Sequence, residues 1–345
     1  MDSGWRATAA TCAARAGGAV GTRLYRLSAA ATLRGILRSR SGLGKGWRRF
    51  RDRPSSEEVL RRKQEIIGRY GEWTAHNVRL VDDVYTRGSE PCGEEAKVRR
   101  ASQLIADVTG RPFSRLRIAD LGCLEGMYAV EFGLRGAEVL GVEGREANLE
   151  KAVFAGDVLG LSRVRFVQDD VRNFTREKYG SFDAILCWGL LYHLPAPDVF
   201  ALLEHIADAT RSCAVIDTHI SLTDEDLAEL PKEAFWWSHP TELQSELKRH
   251  EYHGYEYTGR DAVEHGPDTT EEQRLGSLWA SLDNTTSVWL TFESLVRALV
   301  NAGFTSVMRC EAPLMPGSPP DRVTLVALKS EPCGDLLVTP YGSAG

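Results

Sequence analysis

The stretch Arg117-Ile-Ala-Asp-Leu-Gly-Cys-Leu-Glu-Gly126 decides the fold, together with Val139-Leu-Gly-Val-Glu-Gly-Arg145 just beyond it. The first segment reads as a short buried strand that ends on an acid, Asp120, and breaks into a glycine turn. The second is another apolar strand ending on an acid, Glu143. Parallel strands with acids at their carboxyl tips form a nucleoside pocket at the edge of an open α/β sheet.

Outward from this pair the pattern alternates. Met127–Leu134 and Ala147–Leu159 have helical periodicity, and Arg165–Gln168, Phe182–Trp188 and Cys213–Thr218 are strand-like. Pro197–Thr210 is a further helix. Short strands without polar alternation imply a parallel sheet covered on both faces. Thr291–Ala302 predicts a helix, and Thr305–Cys310 with Arg322–Leu328 predicts a terminal antiparallel hairpin across a Pro/Gly loop at 313–320. Pro54-Ser-Ser-Glu-Glu opens a helix that runs to about Tyr70, and Glu95–Val108 is another, closed by Gly110 and Pro112.

The glycine turn is not the G-x-G-x-x-G that lets backbone approach a pyrophosphate. It is Asp120-x-Gly122-x-x-x-Gly126, and an acid before the first glycine repels a pyrophosphate. Such an acid suits a ligand carrying an ammonium and a sulfonium, which points away from NAD and towards S-adenosylmethionine. Glu143 can accept both ribose hydroxyls. In Val167-Gln-Asp-Asp-Val171 the acid at the third strand's end can accept from the adenine amino group. Phe182-Asp-Ala-Ile-Leu-Cys-Trp-Gly189 is the fourth strand, ending where the methionine part would sit.

In this order and spacing, the four segments resemble the motifs of class I S-adenosylmethionine-dependent methyltransferases. The resemblance covers residues 116–218 by motif and 290–329 by topology. It implies a seven-stranded, mostly parallel, Rossmann-like sheet with a C-terminal antiparallel hairpin, an N-terminal helical region and an insertion after the fifth strand. It assigns Asp120, Gly122 and Gly126 to the methionine end, Glu143 to the ribose, and Asp170 with Val171 to the adenine. Cys123, Gly144 and Cys187 beside these motifs complete the expected cofactor set on the sheet. The family's usual middle glycine is Leu124 here, which puts the loop path in question.

Outside the sheet, Trp73, His76, Asn77 and Tyr85 lie in a polar segment before the first motif. As a lid they would turn aromatic faces to the sulfonium, and Trp73 can equally be a packing anchor. His193, in Leu190-Leu-Tyr-His-Leu194 after the fourth strand, and His219, in Asp217-Thr-His219 after the fifth, are the candidate general bases. Either can instead be structural.

Residues 220–288 read as polar, aromatic and irregular. Trp236, Trp237, His239, His250, His253 and Arg260 there can line an acceptor pocket or pack the lid, and 281–290 is expected to border the pocket. His250 and His253 lack a matched second pair, so no metal site is expected.

The implied division is a basic extension over 1–54, a helical lid region over 55–115, the cofactor domain over 116–219 and 289–330, an acceptor-binding insertion over 220–288, and a tail over 331–345. Residues 1–53 carry a charge near +10, leaving about −16 on the rest of a chain whose net charge is −6. Arg-rich and acid-poor, that extension can be disordered, a transit peptide, or a short amphipathic helix on a membrane surface or nucleic acid. No apolar run reaches the ~20 residues of a membrane span. Seven cysteines without C-x-x-C spacing imply reduced thiols and a cytoplasmic setting.

The acceptor is expected to be a small molecule, with a natural product among the choices, taking the methyl on oxygen or nitrogen. A distant likeness to enzymes that finish a modified wobble uridine keeps tRNA as an alternative partner, which the acidic body disfavours. A non-catalytic cofactor-binding protein is the third reading. The oligomeric state is left open.

Overall fold

In the N-terminal helical region, the helix Ser56–Tyr70 begins where the Ser55 side chain accepts from Glu58 N–H. It leads to a small antiparallel hairpin, β1 (Arg79–Val81) and β2 (Val84–Tyr85). The helix Glu95–Thr109 follows and stops at Gly110, which takes the left-handed conformation. The computed structural model describes residues 54–90, 94–229, 245–312 and 319–334. The basic extension, Trp236, Trp237, His239 and most of the 313–320 loop lie outside the described residues.

The main sheet is built from β3 (Arg117–Leu121), β4 (Glu138–Glu143), β5 (Val164–Gln168), β6 (Phe182–Trp188), β7 (Thr210–His219), β11 (Ser306–Arg309) and β12 (Arg322–Leu328). Their order is β11-β12-β7-β6-β3-β4-β5. β3 to β7 run parallel, and β12 pairs antiparallel with both β7 and β11. The seven-stranded, mostly parallel sheet with an antiparallel C-terminal hairpin is thus the architecture expected from the sequence.

All seven side chains of β6 are buried. Helices on both faces explain this, and they divide the core into two apolar clusters. One lies around Phe182, Ile185, Leu203 and Leu325, the other around Ile118, Phe132, Ala184 and Val215. The chain leaves β3 outward through β4 to β5, then returns to β6 on the other side of β3. That reversal opens a crevice at the carboxyl tips of β3 and its neighbours, where open α/β sheets bind ligands.

The insertion differs from the irregular segment expected. β8 (Lys248–Tyr252), β9 (Tyr255–Val263) and β10 (Thr286–Leu290) form a three-stranded antiparallel sheet in the order β10-β9-β8. The hairpin turns through His253 and Gly254, both at positive φ. Dense His, Glu and charged residues on β8 obscured its strand character. One face is exposed, and the other packs Tyr252 and Tyr257 against Phe200 on the helix Asp198–Ala209, with ring centroids 5.2 and 4.6 Å apart. No helix among the described residues is long and apolar enough to cross a membrane.

Candidate active site

The loop after β3 makes the floor. Gly122, Leu124 and Gly126 all adopt positive φ, at 66°, 46° and 80°. Leu124 therefore follows the left-handed turn that a glycine would make without strain, at a penalty of about 1–2 kcal/mol. Its N–H donates to Glu143 at 3.0 Å, which holds the turn against β4. At Gly126 a side chain has no room, because a Cβ would stand 2.7 Å from Ala152 Cβ. That glycine lets two helices approach and does not line the cleft.

Asp120 is only 2 % exposed, and its Oδ2 has no hydrogen-bond partner among the described residues. Burial pushes its carboxyl up to about 7, and the charge of Glu143 adds to the shift. An orphaned carboxylate oxygen inside a protein is costly unless a ligand completes it.

The cleft above this floor has two lobes that share Gly122, Leu124, Gly189, Tyr192 and Trp279. The first, about 770 Å³ including its open mouth, is lined by Glu143, Gly144, Asp170, Val171 and residues 278–284. Glu143 accepts N–H bonds from Leu124 and Arg145 and lies 3.4 Å from the Asn148 amide nitrogen. Burial nevertheless raises its pKa. A Cβ on Gly144 would press 2.5 Å from Leu282 Cδ1, so glycine is what lets the insertion close over β4. Asp170 caps the turn at Val171 by accepting from Arg172 N–H at 2.8 Å. Its Oδ2 also accepts from the Arg172 guanidinium.

The second lobe, about 720 Å³, lies over Asp120 and Cys123 and is walled by His76, Arg87, Glu94, Lys97, Trp188 and Arg322. Trp188 Nε1 there is buried without a partner among the described residues. His76 Nδ1 accepts from Met127 N–H at 3.2 Å, which leaves the proton on Nε2. Burial lowers the His76 pKa to about 4, so the ring is neutral at physiological pH.

Other expected site residues lie away from the cleft. Trp73 packs on Phe154 in the core at a centroid distance of 5.7 Å, and Tyr85 stands on β2 beside Arg79. Asn77 ties down its own loop through the Gly88 and Glu90 carbonyls. Cys187 is wholly buried inside β6. His219 is enclosed behind Tyr192, stacked on Trp289 at 5.0 Å and 3.2 Å from both an Asp321 oxygen and an Arg322 guanidinium nitrogen. Asp217 holds Arg322 at 2.6 Å and accepts from Thr324. On the insertion, Arg260 donates to the Ser245 carbonyl, and His253 faces Glu204 at 3.7 Å. His250 stands on β8 in register with Tyr257.

His193, by contrast, lines the first lobe, and its Nδ1 sits 2.9 Å from Glu264 just beyond β9. Sequence reasoning missed Glu264, Arg322, Trp279 and Glu125. The first three come from segments distant in sequence, so no local motif marks them. Glu125 lies inside the glycine turn itself, and its wholly buried carboxylate accepts the N–H groups of Thr74, Ala75 and His76. A charged residue between two turn glycines was the available signal.

Residues 118–212 match the family model described as Methyltransferase domain. The Ubiquinone biosynthesis O-methyltransferase of Acinetobacter baylyi is 30% identical over 81 residues, covering 24% of this chain and 34% of that protein. The protein of the same name from Alkalilimnicola ehrlichii is 29% identical over 142 residues, 40% of this chain and 53% of that one. The chain thus spans about a third to a half of the length of these curated relatives. The N-terminal domain of EvdMO1, crystallised with SAH bound, is similar with a TM-score of 0.58 at 23% identity, over 80% of this chain and 98% of that one. The region from β3 into β7 thus matches a methyltransferase-domain model, and the fold is like that of the EvdMO1 N-terminal domain.

Proposed function

We propose that the chain is an S-adenosylmethionine-dependent methyltransferase acting on a hydroxyl or amine of a small molecule. The observation that carries this reading is the orphaned Asp120 oxygen beneath a two-lobed cleft whose first lobe holds Glu143. S-adenosylmethionine fits that donor set: Asp120 would take its ammonium, Glu143 its ribose hydroxyls, and Gly144 and Val171 would face the adenine. Arg87, on the wall of the second lobe, would take its carboxylate. Asp170 would reach the adenine amino group while keeping its Arg172 bond.

When bound, S-adenosylmethionine supplies an electrophilic methyl group on a sulfonium. The chain's own work is to align the acceptor with that methyl and to exclude water. The residues shared by both lobes, Gly189 and Tyr192 among them, mark the junction where transfer would occur. Trp279, 60 % exposed on the rim of both lobes, offers a ring face to a cyclic acceptor. The acidic body and the names of the curated relatives favour a small acceptor and transfer to oxygen. The domain division of the sequence reading extends to this proposal, with residues 220–288 closing the acceptor side and the enzyme working in the cytoplasm.

The test is a labelled-methyl assay against a cell extract split into small-molecule and RNA fractions. Label in the small-molecule fraction is expected. Label in RNA alone, or in neither fraction while the cofactor binds, would overturn this reading.

A further inference from the structure

The loop 190–194 is gripped by the insertion. Val288 N–H donates to the Leu194 carbonyl, Trp289 Nε1 to the Tyr192 carbonyl and Asn284 to the His193 carbonyl. Backbone clamps of this kind would suffice to fix the loop. Yet the insertion also delivers a buried carboxylate to the imidazole it carries. Both Glu264 oxygens lie within bonding distance of His193 Nδ1, at 2.9 and 3.1 Å. Glu264 Oε2 also accepts from Ser281 N–H at 3.0 Å, so the carboxylate is held from two sides. Burial alone would push Glu264 up, but the hydrogen bond and charge of His193 and the Ser281 N–H outweigh it and hold the acid below its ordinary value. Arg145 and Tyr192 also feel its charge.

A carboxylate only accepts, so Nδ1 carries the proton and the lone pair is left on Nε2 across the ring. The ring borders the cleft. We infer that Glu264 is a positioning residue that sets His193 as the proton acceptor for a hydroxyl-bearing acceptor. This inference rests on the methyltransferase reading above. As the acceptor oxygen forms its new bond to the methyl carbon, the old carbon–sulfur pair stays on sulfur. The hydroxyl proton passes to Nε2. The resulting imidazolium lies against Glu264 and returns the proton to water.

Two measurements on the full chain test this. The first is nitrogen NMR of histidine-labelled protein about two pH units above the ordinary imidazole value of ~6.5, with H193Q used to assign the signal. His193 should show a protonated Nδ1 and a bare Nε2. E264L should move the proton towards Nε2, and E264Q, whose amide oxygen still accepts, should largely keep it on Nδ1. A wild-type ring protonated on Nε2 overturns the inference.

The second is methyl transfer to the small-molecule extract fraction as a function of pH. E264Q should bind S-adenosylmethionine within about twofold of wild type yet transfer roughly ten to a hundred times more slowly near neutrality, within the range a general base contributes. The deficit should narrow as pH rises and the acceptor loses its own proton. A loss that is equal at every pH, or that tracks cofactor affinity, assigns Glu264 to the clamp and overturns the inference. Should wild type label nothing, the function proposed above falls, and the NMR result still decides the arrangement of the dyad.

Discussion

Replacing Glu125 by alanine should destabilise the fold more than any change on the surface. Its carboxylate and the Lys151 ammonium are both fully buried, 3.3 Å apart. Glu125 also accepts from Thr74, Ala75 and His76 N–H at 2.7, 3.0 and 2.9 Å. Lys151 keeps only the Glu72 carbonyl at 2.6 Å and the Trp73 ring face at 5.9 Å once the acid is gone. Removing one member of a buried ion pair typically costs about 3–5 kcal/mol, because the other charge stays buried. Three orphaned amides place E125A at the top of that range.

Water can reach amides near the surface and reduce this, so the expected loss is about 4 kcal/mol out of the 5–15 typical of a domain. Urea unfolding followed by fluorescence would read it as a lower midpoint at unchanged slope. Adding K151M to E125A should recover part of the loss, since no unpaired charge then remains. A loss below about 1 kcal/mol for E125A, or strict additivity in the double variant, would refute the account of how residues 72–76 are pinned to the glycine turn.

Three further outcomes follow from the same geometry. Burial raises Asp120 from an ordinary 3.8 to about 7, so the folded state holds an extra proton between these values. This group's contribution to stability therefore falls as pH rises through that window. Cofactor affinity should rise with pH up to about 7, and calorimetry near pH 6 in two buffers should show close to one proton released. A flat affinity from pH 5.5 to 8 would contradict the pairing of Asp120 with an ammonium. G126A should lose about 2–4 kcal/mol, since φ is 80° and the new methyl meets Ala152 Cβ at 2.7 Å; thermal unfolding within a degree of wild type would show that the helices can part freely. R322M should lose about 3–5 kcal/mol by stranding the wholly buried Asp217, and an unchanged urea midpoint would show that water reaches that carboxylate.

The sheet was legible because its strands are short, apolar and separated by helices with clear ends. β6 begins and ends at the residues expected from its pattern, and β3 and β4 cover the two acid-tipped segments to within a residue. The floor of the cleft was legible for a related reason: Asp120, Gly122 and Glu143 belong to local motifs whose spacing is set by the sheet. The insertion was not. The unbroken polar run Lys248-Arg-His-Glu251 on β8 looks like a loop, and its pairing with β9 becomes visible only when Tyr252 and Tyr257 are seen against Phe200. His219 and Asp217 end an apolar strand at the ligand edge, yet Arg322 on β12 draws both into an internal network. That pairing spans about a hundred residues, and no local pattern announces it. The same holds for Glu264, which meets His193 only because the insertion folds back over the sheet.

The central claim is that Asp120 and Glu143 hold the methyl donor. Titration calorimetry of S-adenosylhomocysteine and S-adenosylmethionine into wild type, D120A and E143A tests it most directly. The account predicts one site per chain in wild type, at least a hundredfold weaker binding in D120A, and a loss of about tenfold or more in E143A, with all three proteins folded by circular dichroism. Wild-type affinity retained in D120A, or no binding heat for wild type at any pH above 7, would contradict it.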